Sequence, residues 1–304
     1  MTASIAIFGN LTIDDLVYAD GSTRWAVPGG GAIYAALGAA IWTAPISIVA
    51  PLGADYPTEI LDRRFDLSRC TPIPRTLRNW GLYEEDGTRH FVSRNASRNW
   101  LDFSPTPQDA WSGRQPAAHI GPLPYPIAIA LTAELRKAET RTISLDLDDH
   151  DLSGRVDLDQ TIDLIRQADL FLPSLQDVHD LFPHSDPHDA LRRLRSVAPD
   201  VALIAVKCGA KGVIAHAKGA SESIHVPAMP VDLVDVTGAG DAFCGGALAG
   251  FLRDGNPVEA LLAGTVSASF CVGDLGLAGL AAATREKADT RLSTLRRRVE
   301  FCLI

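Results

Sequence analysis

Nine residues, Asp235 to Phe243 (D-V-T-G-A-G-D-A-F), constrain this chain more than any other stretch. An apolar, strand-like run (Val231, Leu233, Val234) leads in, and a helix-like run (Ala242, Phe243, Ala247, Leu248, Phe251, Leu252) leads out. Between them, Gly238, Ala239 and Gly240 carry almost no side chain. That places bare backbone N–H groups at the start of a helix, where an anion is welcome. Asp241 then falls on the first helical turn, beside that anion. A carboxylate repels phosphate, so its presence there suits a different job: taking a proton from a hydroxyl that attacks the phosphate. On local signal alone the stretch fits equally a tight strand-to-helix turn carrying an ordinary first-turn charge.

The rest of the chain predicts the frame around this turn. Short apolar runs recur at Ile5 to Phe8, Ile46 to Ala50, Ile143 to Leu147, Leu170 to Leu172 and Val201 to Val206. Helical patterns separate them at Ala32 to Trp42, Pro126 to Ala138, Leu158 to Gln167 and His188 to Val197. Such alternation predicts a mainly parallel sheet with helices on both faces, and ligand sites at the C-terminal ends of the strands. One region departs from it. Trp80 to Tyr83, then E-E-D-G, then Arg89 to Ser93 reads as a β-hairpin, and Val17, Tyr18 and Trp25 suggest a second strand pair around Asp20-Gly21. Together they predict a small projecting sheet, either a lid or a surface hairpin. The last helix is expected over Thr290 to Phe301.

Composition narrows the classes. Of 304 residues 46% are apolar and 21% charged, which supplies a sizeable core. Lys and Arg total 28 against 37 acidic residues, a net charge of −9. This argues against a general nucleic-acid or membrane-surface binder while leaving room for one nucleotide in a local pocket. The uncharged stretch between Arg24 and Asp55 is broken by three prolines and three consecutive glycines, so it reads as buried loop, helix and strand rather than a membrane span. Five scattered cysteines without a C-x-x-C pair, and no signal-peptide pattern, predict a cytoplasmic protein without zinc or a disulfide framework.

Four further segments have chemical content. Gly9 to Asp15 (G-N-L-T-I-D-D) puts carboxylates just past a strand, where one could accept two adjacent hydroxyls or simply begin a turn. In an extended segment Asp14 and Asp15 face opposite ways. Pro28 to Ala36 (P-G-G-G-A-I-Y-A-A) places three glycines before a helix, a binding loop or a flexible one. Val206 to Val213 (V-K-C-G-A-K-G-V) is a tight loop with two lysines. Ala263 to Gly276 is a small-residue helix and glycine turn, suited to a flat ring or to close helix packing. The acidic run Asp146 to Asp151 matches no metal-ligand spacing, and His184 and His188 are separated by Pro187. No G-x-G-x-x-G follows the first strand, which disfavours a dinucleotide-dependent oxidoreductase.

In their order along the chain, these motifs resemble the ribokinase-like, or PfkB, carbohydrate kinase family, whose C-terminal signature is D-T-x-G-A-G-D-x-F. Val236 stands where that signature has threonine, and Tyr34 where the glycine-loop motif G-G-x-x-x-N-x-A has asparagine. The resemblance implies an α/β fold: a three-layer α/β/α sandwich forming a single kinase domain, with a mainly parallel central sheet and a β-sheet lid from about 12–28 and 77–100. It implies Asp241 as base, with the amides of Gly238, Ala239 and Gly240 as the anion hole. Asp14, Gly29, Gly30, Gly31 and Tyr34 would meet the substrate, and Asp146 matches an aspartate that ends a strand near the site. Lys207, Gly209, Gly212, Thr237 and Ser174 would meet ATP. Asp177, in place of the family's glutamate, would organise Mg. Asp235 would help hold a monovalent cation such as K. The implied reaction is ATP-dependent phosphorylation of a sugar or polyol, with a nucleoside kinase or a catalytically impaired regulatory homologue as the alternatives, and a homodimer through the lid as a possible assembly.

Overall fold

A computed structural model describes residues 4–61, 64–85, 89–94, 100–110, 116–147 and 157–303. Its centre is a nine-stranded sheet. From one edge the strands run Ile46–Val49, Ile5–Phe8, Ala117–Ile120, Thr142–Leu145, Leu170–Phe171 and Leu203–Lys207, each parallel to its neighbour. Val213–Ala217, Glu222–Val226 and Glu300–Leu303 then complete it antiparallel.

The strands read as continuous apolar runs because both faces are covered. Along Ile5–Phe8, Ile5 and Ile7 pack with the helices Gly31–Ala40, Ala239–Asp254 and Pro257–Val272. Ala6 and Phe8 pack on the opposite face with Tyr125–Lys137, Leu158–Arg166 and Pro187–Val197. The result is the expected α/β/α layering. No helix of the described residues is long and apolar enough to cross a membrane.

Two sequence readings are corrected. Val231, Leu233 and Val234 form no strand; Leu233 and Val234 are exposed, at 68% and 48%. Val234 N–H donates instead to the Val272 carbonyl at 2.8 Å, and the strand Glu222–Val226 is paired with Glu300–Leu303. That same pairing corrects the last helix, which spans Arg285–Arg296 and ends before Phe301, itself paired with Ile224.

A second, four-stranded sheet grows from the end of the first strand, in the order Thr23–Gly29, Thr12–Val17, Leu77–Tyr83 and Arg89–Ser93. Both expected hairpins are present, although Asp86 and Gly87 of the second turn lie outside the described residues. Asp14, Val27 and Asn79 stand in register on one face, and Asp15 and Trp80 on the other.

The helices Gly31–Ala40 and Ala239–Asp254 meet backbone to backbone. A Cβ on Gly245 would fall on the Ala35 carbonyl oxygen, and one on Gly38 would fall on that of Ala242. Gly245→Ala is therefore expected to destabilise the protein by about 1–3 kcal/mol, the usual penalty for overpacking, read as a lower urea midpoint at unchanged slope.

Candidate active site

The signature turn forms as a left-handed cap. Gly238 has φ 74° and no side chain to satisfy the first-turn amides of helix Ala239–Asp254. The Ala239 N–H turns back to the Val236 carbonyl at 3.3 Å, so the anion-hole role fits Gly240 better than Ala239. Behind the turn lies Tyr34, whose ring occupies the space a Gly238 side chain would need. Tyr34 is 3% exposed, and burial, then the nearby Cys271, Asp235, Asp14 and Tyr83, hold its hydroxyl protonated. Its ring packs under the signature rather than lying open for a ligand to stack upon.

The three-glycine loop separates two carboxylates. A Cβ on Gly29 would stand 2.9 Å from Asp14 Oδ2, and one on Gly31 would stand 2.7 Å from Asp241 Oδ1. Gly30, at φ 106°, leaves no room for any side chain, since the Asn10 carbonyl fills that space. The missing methyls thus let Asp14 and Asp241 approach the same short stretch of backbone from two directions.

Asp14 is 6% exposed. It accepts hydrogen bonds from Thr12 Oγ1 at 2.8 Å and Asn79 Nδ2 at 3.0 Å. Burial outweighs these donors and pushes its carboxyl up to about 6. Asn79 and Asn10, which sequence reasoning did not single out, each carry a buried side-chain oxygen without a partner among the described residues. Asp15 turns away, as the strand period predicts, to the Ala26 N–H at 2.8 Å and the Arg94 guanidinium.

Beneath the signature turn lies a buried polar layer. Lys207 bends away from Gly209 and Gly212 and pairs with Asp146, with Cys244 Sγ 3.5 Å from its ammonium. Burial opposes that charge, but Asp146, then Cys244 and Asp177, hold it protonated. Next to it His119, fully buried, keeps Nδ1 3.1 Å from Ser144 Oγ, and burial pushes its ring down to about 3. Gly209 and Gly212 shape the following loop, where Cys208 N–H donates to the Gly212 carbonyl at 2.7 Å.

Ser174 and Asp177 form a capping box on helix Leu175–Leu181. Ser174 N–H donates to Asp177 Oδ2 at 2.6 Å, and Asp177 N–H donates to Ser174 Oγ at 3.2 Å. Burial, then the Asp146 charge, pushes Asp177 up to about 7. A buried carboxyl beside a second one fits the outer sphere of a hydrated Mg carried by nucleotide phosphates, an ion that keeps most of its waters. Among the described residues no three His, Cys, Asp or Glu side chains gather as a direct metal cage. The junction that the resemblance gives to a monovalent cation is closed by Asp235 itself. Its oxygens accept from Thr237 N–H at 2.9 Å and Gly276 N–H at 3.2 Å. Thr237 Oγ1 is bonded to the Tyr83 hydroxyl of the small sheet.

With this geometry in place, the comparisons agree on the class. The family model described as pfkB family carbohydrate kinase matches residues 3–283, and the chain belongs to that family. It is similar to the cytidine kinase of Thermococcus kodakarensis, 28% identical over 262 residues, which span 84% of this chain and 90% of that one. Its fold is that of an E. coli protein provisionally assigned as ribokinase II, solved with ATP and Mg (TM-score 0.74, 19% identity, 97% of this chain and 100% of that one). It is also that of the Burkholderia thailandensis nucleoside kinase solved with inosine (TM-score 0.72, 17% identity, 96% of each chain).

The glycine loop generates a direct test. Gly31 starts a helix at ordinary backbone angles, so Gly31→Ala is expected to fold. Its methyl displaces Asp241, and turnover should fall about 100-fold, the scale of an ångström-sized misplacement. The check is steady-state kinetics beside a denaturation curve.

Proposed function

We propose that this kinase transfers the γ-phosphoryl group of ATP to a hydroxyl of a nucleoside. The observation that carries the reading is the placement of Asp14 and Asp241 across the glycine loop, with a cavity against the Asp14 strand. That cavity, of about 340 Å³, is lined by Leu16, Tyr18, Arg24, Val27, Asp235 and Leu277 among others. It lies at the lower end of small-molecule pockets, roughly 300–1,000 Å³. Val27 stands opposite Asp14 in the small sheet, so a ligand held by its hydroxyls at Asp14 can extend an uncharged ring into this space. A free sugar or polyol, the first expectation from sequence, leaves it empty. The likeness to a cytidine kinase supports the same choice.

In this mechanism Asp14 accepts a vicinal hydroxyl pair, and the unpartnered oxygens of Asn10 and Asn79 accept remaining hydroxyl protons. Asp241 takes the proton from the attacking hydroxyl. The Gly240 amide and the helix N-terminus receive the charge growing on the transferred group. Asp177 would hold waters of the Mg that accompanies ATP, and that ion would offset charge on the phosphates. The small sheet acts as a lid, carrying Asn79 to the substrate and Tyr83 to Thr237.

A panel of nucleosides, pentoses, hexoses and inositols, read by ADP release, tests the assignment. Phosphorylation of cytidine or another nucleoside is the expected result; activity on free sugars alone would overturn it. Asp241→Asn is expected to lower turnover roughly 100- to 10,000-fold with ATP affinity little changed.

The pH dependence has a defined sign. Asp14 must be ionised to accept two hydroxyls, and its carboxyl is raised to about 6 by burial. KM for the nucleoside should therefore fall as pH rises through about 6. The same shift acts oppositely on the free protein: its stabilising contribution is complete below the ordinary carboxyl value of 3.8 and is lost as pH rises through about 6. A flat KM profile across that window would remove Asp14 from the substrate site.

A further inference from the structure

We infer that Arg24 is a specificity-determining residue that donates to a ring carbonyl oxygen of the acceptor's base, so that the site takes oxo-bearing nucleosides rather than adenosine. The inference rests on the nucleoside reading above and names the class within it.

The small sheet sets the geometry. Leu16 lies two residues beyond Asp14 on the same face, about 7 Å further by strand rise, and Arg24 is its register partner across the hairpin. Leu16 and Arg24 both line the cavity of about 340 Å³, as does Tyr18. A furanose whose hydroxyls sit at Asp14 can therefore direct its base toward Arg24. Val27, Pro28, Ile60 and Leu277 give the base apolar walls for its ring faces. The polar groups of the cavity stand together. Tyr18 carries a buried hydroxyl without a hydrogen-bond partner among the described residues. Burial, then the Asp235 charge, push that hydroxyl up, and the Arg24 charge draws it down.

The chemistry of these groups selects the ligand. A phosphate suits the cavity poorly, because Asp235 stands in the same wall and most of the lining is apolar. An amino group suits Arg24 poorly, because a guanidinium has five donors and no acceptor. Asp235 is not free to take that amino group instead, since its oxygens already accept from Thr237 and Gly276 N–H. A ring carbonyl accepts from Arg24 and leaves the Tyr18 hydroxyl to donate or accept at the next ring position. Cytosine, uracil, hypoxanthine and guanine each have such a carbonyl, and adenine has none. An arginine held only by water would confer no such preference.

The test compares the best nucleoside of the panel with counterparts altered at the carbonyl. These are adenosine for inosine, 2,6-diaminopurine riboside for guanosine, and the thio analogues, whose sulfur is a poorer acceptor, for a pyrimidine nucleoside. Steady-state kcat/KM is measured on wild type, Arg24→Met and Arg24→Lys, each beside a denaturation curve. Wild type should favour the oxo nucleoside about 10- to 100-fold, the scale of one hydrogen bond to a charged group. Arg24→Met should bring that ratio to about 1 through a higher KM for the oxo nucleoside, with a denaturation midpoint near that of wild type, as befits an exposed position. Arg24→Lys keeps a charged donor and should keep part of the ratio. Equal use by wild type of the oxo nucleoside and every counterpart, or adenosine as its best substrate, would overturn the inference and leave the nucleoside reading standing. So would an Arg24→Met variant that retains the wild-type ratio. Activity on free sugars alone would overturn the nucleoside reading and this inference together.

Discussion

The site depends on one close contact, the crossing of helices Gly31–Ala40 and Ala239–Asp254 with no side chain between their backbones at Gly38 and Gly245. The glycine loop and the signature turn stand at the N-terminal ends of these helices, 210 positions apart from Gly31 to Asp241. With the helix axes held this near, Gly31 comes to face the Asp241 carboxylate and the Tyr34 ring comes to lie under Gly238. A bulky residue at the crossing would separate the helices and with them the two halves of the site. Small residues in both helices are therefore a requirement of function as well as of packing.

Burial and charge set the second constraint. The C-terminal ends of the parallel strands collect Asp14, Asp146 and Asp177 in places where water is largely excluded. For Asp14 and Asp177 the cost of ionising a buried group exceeds what nearby donors return. Such groups are ill-suited to a protein that remains unliganded. They suit one whose ligands bring hydroxyl protons to Asp14 and cationic charge to Asp177. The Lys207–Asp146 pair is the exception, being compensated internally.

Much of this was legible because the deciding signals are local. A helix-capping glycine followed by an aspartate, three glycines before a helix, and a carboxylate two residues into a strand each announce their geometry through backbone rules, and the period of two alone sends Asp14 and Asp15 to opposite faces. What escaped notice depends on distant partners. Asn79 reads only as a polar residue in a hairpin until register brings it to Asp14. Tyr34 looks available for stacking until the helix crossing covers its ring. Val231 to Val234 has the composition of a strand, yet Val234 N–H goes to the Val272 carbonyl; Phe301 was read as the end of a helix, and its pairing with Ile224 makes it strand. Lys207 was read as meeting ATP, but its direction could not be read, because the carboxylate that turns it lies 61 positions earlier.

The small sheet binds these elements into one device. It meets the body at two separate points of chemistry: Asn79 donates to Asp14 at the substrate end, and the Tyr83 hydroxyl meets Thr237 at the anion turn. Tyr18 packs on Tyr83 with ring centroids 5.1 Å apart, which stiffens the second contact. Both hydrogen-bonding side chains sit on the strand Leu77–Tyr83, four residues apart and on the same face. Under the proposed lid role, moving this strand away from Asp14 would also disturb the Tyr83–Thr237 contact. In the proposed mechanism this strand would couple acceptor binding to phosphoryl stabilisation, a physical route to withholding the anion hole from water until an acceptor hydroxyl is in place.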